Sequence, residues 1–366
     1  MLTRVYRIAV DNIDEGSVRE CCEIVSRGGI VVFPTETVYG LGASAYNGEA
    51  VKRIFIAKNR PMDNPLIVHI SNKKQLYEVV EEVPEKIARA IDVLWPGPFT
   101  VLLRKGPRVA QEATANLPTV AVRMPAHPVA LRLIDCAGPI AAPSANISGR
   151  PSPTTGFHAM VDMFGRADAI IDSGETLYGV ESTIIDATSK PMKLLRPGAM
   201  PVEKIAEVLG EEIIITPEAR GYRESERALA PGMKYKHYSP ETPLILVEYR
   251  EDVEKMVEDV IRVVEEVGGT GKKVAVIASS ETFHRYKGLA DKVLVYGSRK
   301  NVFEVARNLF KILRELDREG VDIAIVEGVE EKGLGLAVMN RLRKASSKVV
   351  KYHQNLYIPG HNSIQT

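Results

Sequence analysis

The sequence predicts an α/β protein of two domains: an open, twisted, mixed sheet followed by a small doubly wound parallel sheet. Three observations carry this. At 366 residues the chain exceeds what one hydrophobic core usually serves. From Ile30 to Leu209, short apolar runs alternate with stretches of helical period but without a strict βαβ repeat, which suits a mixed sheet. Between 216 and 242 the chain turns polar and loses its apolar period, and beyond it short strands and long helices alternate cleanly. The expected division is a first domain over 1–215, a linker or lid over 216–242, a second domain over 243–350 and a tail over 351–366.

Composition narrows the class. A content of 45% hydrophobic and 26% charged residues is that of an ordinary globular protein. A formal net charge of +1 argues against a strongly basic nucleic-acid binder. Cys21, Cys22 and Cys136 show neither paired metal spacing nor a disulfide framework, which predicts a reducing interior and no zinc. The segment Met1 to Asp11 has no apolar signal core, and no apolar run approaches the roughly 20 residues that span a bilayer. The expected location is cytoplasmic.

Gly16 to Arg27 has helical apolar spacing and ends at Gly28-Gly29. Ile30 to Phe33 reads as a buried strand. It delivers the chain into Pro34-Thr35-Glu36-Thr37-Val38-Tyr39-Gly40-Leu41-Gly42, a hydroxyl-rich loop of the kind that offers ligand groups after a strand. It is not a phosphate loop, since no Gly-x-x-x-x-Gly-Lys-Ser/Thr occurs. A helix over Glu49 to Ala57 feeds into Lys58-Asn59-Arg60-Pro61, where Pro61 disfavours helix at Arg60. Taken alone, this is a solvated cationic helix end. The sharper reading is an edge that binds phosphate or carboxylate.

Leu66 to Ile70 is a second apolar strand, carrying His69. Helices follow at Leu76 to Val80 and Pro84 to Leu94, then the Trp95-Pro96-Gly97-Pro98-Phe99 corner, with the sole tryptophan as a packing anchor. Thr100 to Arg104 and Thr119 to Met124 alternate as strands, the latter bringing up Arg123. After a helix over Pro128 to Cys136 and a strand at Ile140 to Ala142 comes Pro143-Ser144-Ala145-Asn146-Ile147-Ser148-Gly149-Arg150-Pro151-Ser152-Pro153-Thr154. Its place between a strand and the helix at Thr155 to Phe164 favours a site loop over a linker. Strands at Ala169 to Asp172, Val180 to Asp186 and Lys193 to Arg196, and a helix over Pro201 to Leu209, complete the first domain.

Within 216–242, Lys234, Tyr235, Lys236, His237 and Tyr238 stand between prolines, which favours a lid over a free tether. Strands at Leu244 to Val247, Val274 to Ala278, Val293 to Tyr296 and Ile323 to Val326 alternate with helices at Asp252 to Val267, Thr282 to Leu289, Val302 to Leu316 and Leu334 to Lys344. This is a small Rossmann-like parallel α/β domain whose helices read as ordinary surface helices. It has no Gly-x-Gly-x-x-Gly, so a dinucleotide site is not supported.

Taken together, Pro34-Thr35-Glu36-Thr37-Val38-Tyr39-Gly40-Leu41, Lys58-x-Arg60-Pro61 with Asn64-Pro65-Leu66 and His69, and Ser144-x-Asn146 with Ser148-Gly149 resemble the YrdC-type threonylcarbamoyl-adenylate synthases. The likeness covers roughly residues 10 to 210, and Pro231-Gly232-Met233-Lys234-Tyr235 with the α/β tail is similar to the long, two-domain form. The resemblance implies a YrdC-like first domain. It also implies synthesis of threonylcarbamoyl-AMP and pyrophosphate from L-threonine, bicarbonate and ATP, with Mg2+ on the phosphates and no dedicated protein metal site. The product passes to a separate transferase complex that modifies the adenosine beside the anticodon of tRNA, and a weak tRNA contact is compatible with the charge.

By the same resemblance, Lys58 and Arg60 are the catalytic junction between two anionic reactants. Threonine falls to Thr37, His69, Arg123, Ser144 and Ser182. ATP falls to Lys58, Arg60, Asn64, Thr119, Asn146, Thr154, Arg196 and, in the lid, Tyr235. Two other readings stay open on the residues: a non-catalytic nucleotide or RNA-binding module, and a carbamoyl-transfer maturation enzyme, the latter disfavoured by the absence of cysteine pairs with zinc spacing.

Overall fold

Side-chain caps and β-branched runs set the boundaries of the elements. The structure, a computed structural model, describes residues 2–224, 228–234, 237–249 and 251–350. Its contacts divide the chain into two compact units. The first holds the described residues of Met1–Ser148, Ser152–Thr216 and Ser225–Lys234, and the second those of Gly149–Pro151, Pro217–Glu224 and Tyr235–Thr366.

The first unit runs β1 (Arg4–Arg7), α1 (Glu15–Ser26), β2 (Val31–Phe33), β3 (Gly40–Ser44), α2 (Gly48–Lys58), β4 (Ile67–His69), α3 (Lys73–Val79) and α4 (Glu85–Leu94). It continues with β5 (Phe99–Arg104), β6 (Thr119–Arg123), α5 (Pro128–Ala137), β7 (Ile140–Ala142), α6 (Gly156–Met163), β8 (Ala169–Asp172), β9 (Thr183–Asp186), β10 (Lys193–Arg196), α7 (Val202–Leu209) and β11 (Ile214–Ile215). Asp14, Asn47, Asn72 and Thr155 each accept a backbone N–H at the start of a helix, as good N-caps do.

The eleven strands form one mixed sheet in the order β1-β8-β2-β3-β7-β4-β6-β5-β9-β10-β11. β3 occupies part of what reads as a loop, because its glycines lack the apolar signature of a strand. They are needed there: a Cβ on Gly42 would sit 2.4 Å from Ile140 Cγ2 and 2.8 Å from the Phe33 ring.

Helices α1 and α5 pack on β2 and β8 through Val18, Cys21, Cys22, Val25, Val129, Leu133 and Ile134. This packing corrects the expectation about cysteines. Cys22 and Cys136 are joined as a disulfide with Cα atoms 6.0 Å apart, although 114 residues separate them in sequence. Cys21 alone is free and buried. Spacing along the chain could not reveal a pair that exists only because two distant helices meet.

The second unit runs α8 (Pro217–Arg220), β12 (Leu244–Val247), α9 (Val253–Gly268), β13 (Val274–Ser279), β14 (Lys292–Gly297), α10 (Val302–Leu316), β15 (Ile323–Glu327), α11 (Leu334–Ala345) and β16 (Lys348–Val350). Its five strands are all parallel, in the order β14-β13-β15-β12-β16. The helix expected over Thr282 to Leu289 is only a 3-10 turn at Phe283–Tyr286. Helix α11 is not the surface helix its charges suggest. Asn340, Arg341 and Arg343 are buried: Arg343 Nε donates to Glu248 at 2.7 Å, and its guanidinium lies 4.1 Å over the Tyr222 ring. No helix among the described residues is long and apolar enough to cross a membrane. The tail over 351–366 lies outside the described residues.

Candidate active site

β4 and β6 run parallel at the middle of the large sheet, with His69 opposite Arg123 and Ile67 opposite Ala121. Alternation puts Ile67 and His69 on the same face as Thr119, Ala121 and Arg123. Both His69 and Arg123 are buried. Arg123 is held on three sides: Nη1 donates to Thr37 Oγ1 at 2.9 Å, Nε donates to the Gly97 carbonyl at 3.2 Å, and Nη2 lies 2.6 Å from Glu36 Oε1. The last contact is an ion pair whose angles are off those of a directed hydrogen bond, so Nη2 and both Glu36 oxygens lack an aligned partner among the described residues. The Trp95-Pro96-Gly97 corner, expected as a packing anchor, thus also positions a cation.

His69 meets the Phe33 ring edge-on at 5.7 Å. Burial, with the Arg123 guanidinium beside it, pushes its pKa down to about 3, so the imidazole is neutral. Its Nδ1 is buried and has no hydrogen-bond partner among the described residues. A neutral imidazole next to a guanidinium offers a directional hydrogen bond, not a charge.

Lys58 overturns the reading of a solvated helix end. It is the last residue of α2, only 1% exposed, and its Nζ donates to the carbonyls of Ser144 and Asn146. Asn59, left-handed at φ 52, ends the helix, with Asn59 N and Arg60 N returning to Ile56 O and Phe55 O. The loop answers in kind: Ser148 N donates to Lys58 O at 2.9 Å, and Ser144 Oγ donates to Asn146 Oδ1 at 2.5 Å. Ala145 N donates to Tyr39 O at 2.8 Å, tying this loop to the end of the Thr35–Thr37 segment.

Arg60 turns back on its own chain, its Nε donating to Asn64 O at 3.2 Å and its Nη2 to Pro65 O at 3.1 Å. Both amide atoms of Asn64 are buried without a partner among the described residues, as is Thr119 Oγ1. Thr119 begins the strand that Arg123 ends, which separates them by about 13 Å. Thr119 also lines an open groove of about 1230 Å³ with Leu103, Arg104, Pro118 and Met192.

On the neighbouring strands, Ser182 Oγ shares a 2.7 Å hydrogen bond with Thr100 Oγ1. Arg196 donates to Ser182 O at 2.9 Å and to Pro231 O at 3.3 Å. Ala230 and Met233 pack against Ile67, Ala121, Leu102, Ile184 and Leu195, so this short segment covers the face that bears Thr119 and Arg123. Tyr235 lies outside the described residues. Thr154's own contacts run to His158 and Thr176, and Pro153 O beside it accepts from Tyr39 N at 2.9 Å.

The structure therefore joins Thr37 to Arg123 beside His69, Lys58 to Ser144 and Asn146, Arg60 to Asn64, and Arg196 to Ser182. Sequence reasoning passed over Glu36, Thr100 and Glu181, the last of which accepts from Ser152 Oγ at 2.6 Å. Glu36 had one available signal, a carboxylate between two threonines in a loop otherwise free of charge. Chemically, this face offers buried cations and neutral donors, the set that holds carboxylates and phosphates.

Residues 23–198 match the family model Sua5_yciO_yrdC, described as telomere recombination, and residues 200–347 match the C-terminal domain of threonylcarbamoyl-AMP synthase. The threonylcarbamoyl-AMP synthase of Pyrococcus abyssi is 51% identical over 344 residues, covering 93% of this chain and 97% of that protein. The chain belongs to the threonylcarbamoyl-AMP synthase family. The Bacillus subtilis threonylcarbamoyl-AMP synthase is 42% identical over 350 residues, covering 94% and 98% of the two chains. Among solved structures, that of P. abyssi Sua5 complexed with L-threonine superposes with a TM-score of 0.88 at 48% identity, over 96% of this chain and 100% of that one. With both family domains matched in order, the chain is of the two-domain Sua5 type, and its enzymatic activity is that of a threonylcarbamoyl-AMP synthase acting in tRNA modification.

Proposed function

We propose that the threonylcarbamoyl-AMP synthase reaction takes place on this face of the first unit, with threonine at Thr37, His69, Arg123, Ser144 and Ser182. ATP lies along Lys58, Arg60, Asn64, Thr119, Asn146, Thr154 and Arg196; Tyr235, also expected at the nucleotide, lies outside the described residues. The observation that carries this reading is the set of buried polar atoms without partners at both ends of β4 and β6: the Asn64 amide and Thr119 Oγ1 at one end, His69 Nδ1 at the other. Buried polar groups in native proteins are satisfied by the chain, by ordered water or by a ligand, so these atoms are free to take substrate groups. Two such groups about 13 Å apart suit two adjoining substrates.

In this reading threonine's amine becomes a carbamate with carbon from bicarbonate. A carbamate oxygen attacks the α-phosphorus of ATP, the bond from that phosphorus to the β-bridging oxygen breaks, and pyrophosphate leaves. No covalent nucleophile is required of the protein. It holds two anions together and stabilises charge on the phosphate, which is the task of Lys58 and Arg60. The cationic and neutral donors here suit phosphate oxygens and not a divalent ion, so Mg2+ would be held by ATP oxygens and water. The mixed anhydride is labile, and exclusion of water by the segment over 228–234 would protect it. The enzyme acts in the cytoplasm, and a separate transferase uses the product on tRNA.

The test is pyrophosphate release with threonine, bicarbonate and ATP supplied together and each omitted in turn. Release should require all three. ATP turnover indifferent to threonine, or none with all three present, would leave only a nucleotide-binding module.

A further inference from the structure

We infer that Glu36 is a catalytic residue, the acceptor of the proton that threonine's α-ammonium must lose before its nitrogen can attack carbon. The inference rests on the threonine site proposed above. Glu36 follows β2, is only 4% exposed, and has its backbone fixed by Tyr178 N, which donates to Glu36 O at 2.9 Å. Both carboxylate oxygens are buried without an aligned hydrogen bond among the described residues. Glu181, another buried carboxylate of this unit, is by contrast engaged by Ser152 Oγ.

The groups that face Glu36 are Arg123 on β6, 2.6 Å away, and His127 in the turn after it. His127 has a buried Nδ1 without a partner among the described residues, and burial holds it neutral, down to about 4. A buried carboxylate against a buried guanidinium is the complement of an amino-acid zwitterion. Threonine's carboxylate can take the guanidinium while its ammonium takes the carboxylate. The remaining charged groups of the proposed site, Lys58, Arg60, Arg123 and Arg196, are cations that would repel the ammonium.

The chemistry requires such a group. An ammonium nitrogen has no lone pair. Transfer of its proton to a Glu36 oxygen leaves a neutral amine, whose nitrogen bonds to the carbon of bicarbonate. The carbon–hydroxyl bond breaks, and the hydroxyl departs with the second amine proton as water. Carbamate remains, and the proton on Glu36 passes to solvent before the next turnover.

The experiment measures threonine-dependent pyrophosphate release against pH, at saturating ATP and bicarbonate, for the wild-type, Glu36→Gln and Glu36→Asp proteins. At neutral pH the E36Q protein should lose about 100-fold or more in rate. It should regain that loss as the pH rises through the titration of threonine's own amine, while E36D stays close to the flat wild-type profile. A wild-type rate in E36Q, or a loss equally deep at every pH, overturns the assignment, the latter leaving Glu36 only the orientation of Arg123. If E36Q does not fold, the wild-type profile decides. A kcat/KM for threonine that climbs about tenfold per pH unit up to the amine's titration means that only free amine is used, and the inference fails. A wild-type protein that releases no pyrophosphate defeats the proposed function itself, a separate outcome.

Discussion

Lys58 Nζ donates to the backbone carbonyls of both Ser144 and Asn146, so the last residue of one helix clamps the loop that follows β7. The clamp is reciprocal through Ser148 N and Lys58 O at 2.9 Å. Lys58→Met should therefore act twice. It leaves two carbonyls without their donor, costing about 1–3 kcal/mol of stability. It also removes a cation from the proposed phosphate site, lowering kcat/KM for ATP by about 100-fold or more. Lys58→Arg should not rescue it, because a planar fork cannot replace a point charge in so closed a space. Unfolding curves measured beside pyrophosphate kinetics test this, and full activity in either variant would remove Lys58 from the machinery.

The neutral His69 predicts an acid limb in stability. An unfolded histidine takes a proton below about 6.5, whereas the folded one does so only near about 3. Between those values the unfolded chain binds more protons, so stability rises with pH and is lost as pH falls through that window. His127, held down to about 4, acts in the same direction. In urea titrations from pH 7 to pH 4, the H69Q protein should lose stability less steeply than wild type. Parallel curves would mean that His69 is protonated in the folded protein.

Met233 sits with Ala230 over Ile67, Leu102, Ala121 and Ile184. Met233→Ala should cost about 2–4 kcal/mol, and Met233→Asp more, since it buries a charge without a partner. Both should also depress activity, because Pro231 in the same segment holds Arg196. Stability without loss in M233D would show that the segment is not packed on the sheet in solution.

The Cys22–Cys136 link closes a long loop, so its removal should cost about 2–5 kcal/mol. Reductant should lower the unfolding temperature of the wild-type protein and leave Cys136→Ser unaffected. If thiol titration without reductant finds three free cysteines, the link does not form in solution.

Much of the fold was legible because its signals are local. Proline at the start of α5, the apolar runs at β4 to β7 and the clean alternation from β12 to β15 follow from side-chain period and backbone geometry. β1 and β16 were not legible: four and three residues long and partly exposed, they carry no alternating pattern. The buried charges of α11 were misread for a related reason, since a helix with arginines looks solvated until a partner such as Glu248 arrives from elsewhere in the chain.

By itself the sequence determined the fold class, the order of most elements, the residue types at the site and the family likeness, because helix period, strand alternation and motif chemistry are written in consecutive residues. Only the tertiary structure decided that Lys58 is buried and not solvated, that Arg123 is shared by Thr37, Gly97 and Glu36, that His69 is neutral, and that Cys22 meets Cys136. Each depends on desolvation and on partners distant in sequence, 26 residues apart for Gly97 and Arg123 and 114 for Cys22 and Cys136, which tertiary packing brings together and local chemistry does not encode.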